Sequence, residues 1–386
     1  MESHDVIIAG GGAVGLLLAN LLGQRGVRTL VMERRAAPEA RSMAIGITPP
    51  SLAILNTVGL DAECVRRGVP VRRVAVHDRR RLLGDLDFDG LPGLYPFILC
   101  LPQAVTLEIL EAGARRFPSV TLMRGVEIVG FEQDAQRVRV RVRGWDVDAG
   151  ALTGRFLVGS DGHDSAVRGL AGIGIRTKRL GQTFLMADFD DDGALGQDAH
   201  LFFTETGAVE AFPLPDGRRR WIVMTDAYMR EPPGDFMAAL VRVRSGIDLA
   251  GRSKQFESPF RVSQFVCARY FRGRVVLCGD AAHVMSPIGG QGMNIGFGDA
   301  AYLSDVLGKV LGGGVLGAEV ERQLREYDRV RRKAFHASAR LATRGMWLGT
   351  RRGRVASWLR GQFIARVLLG RTMRRWVARK FGMVGQ

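Results

Sequence analysis

Cysteine is scarce in this chain of 386 residues: Cys64, Cys100, Cys267 and Cys278 stand apart, with no Cys-x-x-Cys and no His/Cys cluster. Such scatter argues against a zinc site and a disulfide framework, and fits a reducing cytoplasm. No stretch reaches the ~20 uncharged apolar residues that a membrane-spanning helix needs. Residues 5–9 enter an apolar strand directly, without a basic n-region or a small-residue cleavage site, so no signal peptide is expected. Acid is absent from the C-terminal end. After Asp328 there are 16 basic residues and no acidic one, while the other 39 basic residues equal the 39 acids of the rest. The formal excess of +16 therefore resides in residues 329–386, and the body of the protein is electrically balanced.

Glycine, by contrast, is abundant and placed. Residues 5–9 form a buried-type strand, Gly10-Gly11-Gly12-Ala13-Val14-Gly15 a turn, residues 16–24 a helix ended at Arg25-Gly26, and residues 27–32 a second strand ending at Glu33. In such a βαβ unit Gly10 permits the tight turn, Gly12 lets backbone approach a pyrophosphate, and Gly15 lets helix and strand pack closely. Glu33 would bond a ribose hydroxyl. Residues 51–60 and 103–117 read as helices, residues 126–142 as paired strands, and residues 156–159 as a strand ending in Ser160-Asp161-Gly162. That last turn opens a short helix in which Ser165 and Arg168 could hold phosphate, with Asp161 as a cap; the alternative is an ordinary Asp-Gly turn with a surface arginine.

Residues 273–301 are the most informative stretch. A strand at 275–278 runs into Gly279-Asp280, a loop carries Pro287 and Gly289-Gly290-Gln291-Gly292, and a helix should start near Met293. An acid accepts hydroxyl protons, and the free N–H groups of a helix start stabilise negative charge. His283 is expected to be structural, Cys278 core and His163 exposed.

Residues 182–270 change character, with short alternating strands at 183–189, 200–203, 209–212 and 221–226 broken by Pro and Gly turns, as in an antiparallel sheet. The fold expected is α/β with an α+β second domain: a Rossmann-like dinucleotide domain (1–72, 98–181 and 267–340), an inserted antiparallel-sheet substrate domain (73–97 and 182–266) and a basic helical C-terminal tail (341–386). No metal site is visible.

The three motifs, in this order and spacing, resemble the single-component (class A) FAD-dependent aromatic hydroxylases of the para-hydroxybenzoate hydroxylase type, over roughly residues 1–340. The resemblance implies that Gly10, Gly12, Ala13, Val14, Gly15, Glu33 and Arg34 bind the ADP half of FAD, with Arg41 and Gln103 at its phosphates or ribityl chain. It implies that Asp161 belongs to a motif linked to FAD and NAD(P)H, and that Asp280 holds the ribityl hydroxyls. It places Pro287, Gly289 and Gly290 at the reactive face of the flavin, with Gly292, Met293 and Asn294 along the isoalloxazine. No side-chain acid or base is assigned. The activity implied is a monooxygenase that uses NAD(P)H and O2, through a flavin C4a-hydroperoxide, on an aromatic, phenolic, quinone- or polyketide-like substrate.

The rivals are an FAD-dependent prenyl-lipid reductase and a non-catalytic flavin-binding accessory protein. Halogenation is disfavoured, because the halogenases' Trp-x-Trp-x-Ile-Pro segment is missing and Trp221 sits in Arg-Trp-Ile-Val-Met. Phe203, Phe212, Pro213 and Trp221 are candidates for the substrate wall, although alternation sends about half of such residues to the opposite face. In the tail, Trp347, Trp358 and Trp376 stand among arginines, with Gly361 and Gly370 interrupting any continuous apolar stripe. It reads either as solvated, partly packed helices or as peripheral attachment to anionic lipid at the inner membrane face of the cytoplasm. Nucleic acid is not an expected partner. Oligomeric state is left open.

Overall fold

The structure, a computed structural model, describes residues 3–38, 43–79, 81–144, 152–286, 290–313 and 317–385. The first sheet is built from strands that are apolar on both faces. Val6, Ile7 and Ile8 are wholly buried, as are Leu157 and Val158. Such strands are stable only where helices cover both sides, the usual state of a parallel sheet. Its order is Phe271–Arg272, Val275–Leu277, Leu152–Gly159, Ser3–Ala9, Thr29–Glu33, Val120–Arg124. Ser3–Ala9 pairs in parallel with the chain's next long strand on one side and with Leu152–Gly159 on the other. The strand order therefore reverses at its carboxyl end, where Gly10 begins the turn, and a crevice opens there.

Two helices meet over this crevice. Ala13–Gly23 and Gln291–Gly312 approach so closely that a Cβ added at Gly296 would stand 2.5 Å from a Val14 methyl.

The second sheet is largely antiparallel, in the order His283–Val284, Lys254–Cys267, Ile175–Asp190, Arg218–Thr225, Gly207–Leu214, Ala199–Thr204, Arg73–His77, Leu82–Asp87. The strand expected at 183–189 begins much earlier, at Ile175. Residues 175–179 pair with residues 263–267 before a register shift between Arg179 and Thr183. Their polar sequence Arg-Thr-Lys-Arg hides them from an alternation test. Val209, Ala211, Trp221 and Val223 lie on one face of the sheet, under the helix Phe236–Ser245. The opposite face looks toward the first sheet.

The C-terminal residues are helical, as expected, but they are not free of the body. The helix Ala318–Gly349 starts against the helix Gln291–Gly312 and the first sheet and reaches the second sheet at Met346, while Arg354–Phe363 and Arg374–Phe381 pack along the second sheet. Ala378 joins a core with Phe88, Leu91 and Leu201, and Phe381 packs against it. Arg360 is 4 % exposed, and its guanidinium donates to the carbonyls of Thr204 and Arg351 at 2.9 and 2.5 Å.

Candidate functional site

A single cavity of about 780 Å³ connects the crevice of the first sheet to the inner face of the second. Its two ends differ in chemistry.

The first end is backbone and carboxylate. Gly10 has φ +106°, a region closed to side chains, and a Cβ there would meet the Ser160 carbonyl oxygen at 2.5 Å. A Cβ on Gly12 would meet no atom of the described residues within 4 Å, so its backbone borders open space among them. Gly12 caps the helix Ala13–Gly23 without any side-chain hydrogen bond, which leaves the first N–H groups free for an anion. Glu33, at the end of its strand, accepts the Gly11 N–H on Oε2 at 2.8 Å and the Arg35 N–H on Oε1 at 2.9 Å. These two bonds aim the carboxylate along the cavity rim. Arg34 lines the same rim. Gln103 accepts the Met43 and Ala44 N–H groups at 3.3 and 3.2 Å, fixing the wall that follows.

Asp161 lines the cavity and also caps the helix beside it: it accepts from Ser165 Oγ at 2.6 Å and from the Val167 N–H at 3.1 Å. Ser165 in turn accepts the Arg168 N–H at 3.0 Å. Arg168 donates to the Ala281 and His163 carbonyls at 3.0 and 2.7 Å, so its guanidinium is structural rather than available to phosphate. His163 is exposed, as expected, and pairs with Asp164 at 2.9 Å.

Asp280 opens into the middle of the cavity, and its carboxylate has no hydrogen-bond donor among the described residues. It is accessible through the lumen yet enclosed by the walls. That enclosure pushes its pKa upward, against the pull of His283 and His163. Gly290, in the left-handed region at φ +64°, caps the helix Gln291–Gly312, again without a side-chain cap. Gly290, Gly292 and Met293 line the cavity, so a 22-residue helix directs its positive end into it. Asn294 belongs to the scaffold. Its Oδ1 accepts the Thr48 N–H at 2.9 Å, and its amide donates to Gly46 and Gly290 at 2.9 and 2.7 Å. Arg41, Pro287 and Gly289 lie outside the described residues.

Behind this end sits a buried cluster that the sequence did not reveal. His283 Nε2 lies 2.6 Å from Asp299 Oδ2, and Arg331 Nε lies 2.6 Å from Asp299 Oδ1. Burial pushes the Asp299 pKa up, but His283 and Arg331 together outweigh it and bring it below the usual carboxylate range.

The second end is apolar. Met186, Ala199, Phe212, Ile222 and Phe260 line it from the second sheet, and Phe381 closes it from the C-terminal helix. Phe212 stands where expected. Trp221 does not: it is 1 % exposed on the opposite face, packed with Val223 and Met237. Strand register decides this, since Ile222 and Trp221 must point to opposite sides. Pro213 shares the far side of its strand for the same reason. Phe203 keeps the inner face but lies beyond the cavity, beneath the Arg360 guanidinium at 5.8 Å. Glu210, which no motif singled out, is the acid in this apolar wall.

The residues fit FAD by their own geometry. The open space at Gly12 and the uncapped helix start suit a pyrophosphate, Glu33 a ribose, and Asp280 a chain of hydroxyls.

Comparison with known proteins agrees. A family model described as an FAD binding domain matches residues 3–342. The 6-methylpretetramide 4-monooxygenase of Streptomyces rimosus is 36% identical over 323 residues, covering 81% of this chain and 57% of the relative. A 3-(3-hydroxy-phenyl)propionate/3-hydroxycinnamic acid hydroxylase of Mycobacterium sp. (strain KMS) is 31% identical, covering 97% of this chain and 64% of the relative. This chain therefore spans about three-fifths of the length of these curated relatives. Among solved structures, the anhydrotetracycline hydroxylase OxyS from Streptomyces rimosus superposes with a TM-score of 0.81 at 28% identity, covering 100% of this chain and 77% of that one.

Proposed function

The chain belongs to the FAD-binding-domain family of aromatic-hydroxylase-type flavoproteins, and on that premise we propose that it is an NAD(P)H- and O2-dependent monooxygenase that hydroxylates an aromatic, phenolic or polyketide-like small molecule. The observation that carries this reading is the continuity of the cavity: a dinucleotide-binding crevice opens, without an intervening wall, onto an apolar floor of sheet. FAD, when bound, supplies hydride acceptance and oxygen activation.

The chain's own residues supply the rest. The glycine turn and Glu33 hold the nucleotide half, and Asp280 bonds hydroxyls along the lumen. The free N–H groups at Gly292 and Met293 favour negative charge placed against them. Met186, Phe212, Ile222, Phe260 and Phe381 orient a planar substrate and keep water away. Gly290 belongs to this face, and we assign Pro287 and Gly289 to it from the sequence pattern alone. The prenyl-lipid reductase reading is less favoured, because both relatives carry the names of oxygenating enzymes.

The test is reduction of the flavin by NADH or NADPH in the absence of oxygen, followed by its absorbance, with and without a phenolic ligand. Ligand-stimulated reduction followed by hydroxylation on admitting air supports the proposal. Reduction of an isoprenoid double bond without oxygen contradicts it.

We also propose that the C-terminal helices make peripheral contact with anionic membrane. On the helix Arg354–Phe363 the exposed residues Val355, Trp358, Leu359 and Phe363 fall on one helical stripe, next to Arg351, Arg352 and Arg354. Among the described residues no helix is long and apolar enough to cross a membrane. Pelleting with phosphatidylglycerol vesicles should retain the protein at low salt. Loss of pelleting in Trp358→Ala/Leu359→Ala supports the contact, and unchanged pelleting contradicts it.

A further inference from the structure

Glu210 lies on the strand Gly207–Leu214, opposite Leu201 on one neighbour and Ile222 on the other, with its side chain lining the apolar end of the cavity. It is 7 % exposed, and among the described residues no donor bonds its carboxylate. Buried carboxylates are rarely left without partners.

Among the described residues, no charged or titratable group near it donates a hydrogen bond to it. Arg220, diagonal to it on the same face, gives two bonds to Asp188 at 2.7 and 2.8 Å and a third to the Met43 carbonyl at 3.0 Å. Arg261, on the strand Lys254–Cys267, stacks on the Tyr228 ring at 4.4 Å. Cys100, at the end of the strand Ile98–Cys100 in a separate three-stranded sheet, has its thiol pushed up to about 12 by burial and is uncharged. Asp280 lines the dinucleotide half and adds only negative charge. The acid therefore presents its acceptor capacity to whatever fills the floor of the cavity.

We propose that Glu210 sets the charge class of the substrate: it accepts a hydrogen bond from a hydroxyl on a neutral aromatic ring and excludes rings that carry a carboxylate. This deepens the monooxygenase reading and rests on it. The hydrogen bond holds the hydroxyl-bearing edge of the ring against the sheet, so Glu210 fixes which edge faces the dinucleotide half. A carboxylate in the same place would face a second negative charge in an apolar enclosure, where water cannot screen it.

Two probes of nearly the same shape test this: 2-naphthol, neutral, and 2-naphthoate, anionic. Binding to the FAD-loaded protein is measured by calorimetry at pH 8.5, with no turnover required. The wild type should bind 2-naphthol at least about tenfold tighter than 2-naphthoate, as expected for one hydrogen bond to a charged group. Glu210→Gln should bring the two affinities within a few-fold of each other. Burial pushes the Glu210 carboxyl up to about 7, so in the wild type the preference should shrink at pH 5.5, which needs no variant to fold. Equal binding of the two probes by the wild type at pH 8.5, an unchanged ratio in Glu210→Gln, or no binding of either probe overturns the proposal. Retained FAD and NAD(P)H oxidation in the same preparations show that the enzyme reading survives such a result, whereas their loss from the wild type would count against that reading itself.

Discussion

The His283 imidazole and the Asp299 carboxylate meet at 2.6 Å with neither side chain more than 2 % exposed. One residue follows Asp280 on the strand side of the cavity, and the other sits within the helix whose start faces it. Arg331 closes the cluster from the next helix and also donates to the Ile295 carbonyl at 3.1 Å. The two sides of the proposed cofactor cradle, the Asp280 turn and the start of the helix Gln291–Gly312, are thus joined through one buried carboxylate. Asp299→Asn should leave Arg331 buried without its counter-charge and lower stability by about 3–5 kcal/mol. Chemical denaturation checks the magnitude, and faster loss of FAD on dilution checks the link to the cradle.

Acid should act on the same cluster. The Asp299 pKa is lowered in the folded protein, so its contribution is present above the ordinary carboxylate range and is lost as pH falls through the folded value. Asp299→Asn should therefore flatten the acid limb of the stability curve relative to the wild type, as a denaturant titration at several pH values would show.

The glycines of the first turn should separate folding from binding. Gly10→Ala meets the Ser160 carbonyl and a positive φ, and should destabilise the whole protein. A Cβ on Gly12 touches no atom of the described residues. Gly12→Ala should keep its circular dichroism and melting curve while FAD affinity falls by about 1–3 kcal/mol, through overpacking against the ligand. Titration of flavin fluorescence measures the second effect.

Phe212 and Trp221 should behave in opposite ways. Phe212→Ala removes a wall of the cavity and should raise KM about tenfold or more with little change in FAD binding. Trp221→Phe alters a buried residue on the far face whose indole N–H has no partner among the described residues. It should leave kcat/KM within a factor of about two, because it removes an unsatisfied donor rather than a substrate contact. Steady-state kinetics with one substrate compares both.

Glu210→Gln carries a stability signature of its own. The carboxyl is raised from 4.5 to about 7 in the folded chain, so the folded state binds the proton more tightly. The contribution of this one carboxyl to stability is then fully present below pH 4.5 and is lost as pH rises through about 7. The variant should lack this decline and exceed the wild type by a few kcal/mol at pH 8, with little difference at pH 5, in urea denaturation of the FAD-free protein.

The parts of the site that the sequence displayed are the ones set by neighbours along the chain. Gly10, Gly12, Glu33, Asp280 and the helix start at Gly290 each belong to a short string whose local geometry dictates its use. The parts it hid depend on which strands come together. Glu210 and Phe212 face the cavity because of the register that sets Glu210 against Ile222 and Leu201, and Trp221 faces away for the same reason. Phe381 reaches the cavity from the far end of the chain by packing that no periodicity encodes. Arg331, outwardly one more cation in a basic helix, is distinguished only by the carboxylate it meets.

Isotope labelling tests the central claim most directly. The FAD-loaded protein is supplied with NADPH, labelled O2 and a phenolic substrate, and the product is weighed by mass spectrometry alongside the oxygen consumed. The account predicts one labelled oxygen atom in each hydroxylated product and one NADPH oxidised per O2 consumed in a coupled turnover. Unlabelled product, or product formed at the same rate without oxygen, would contradict it.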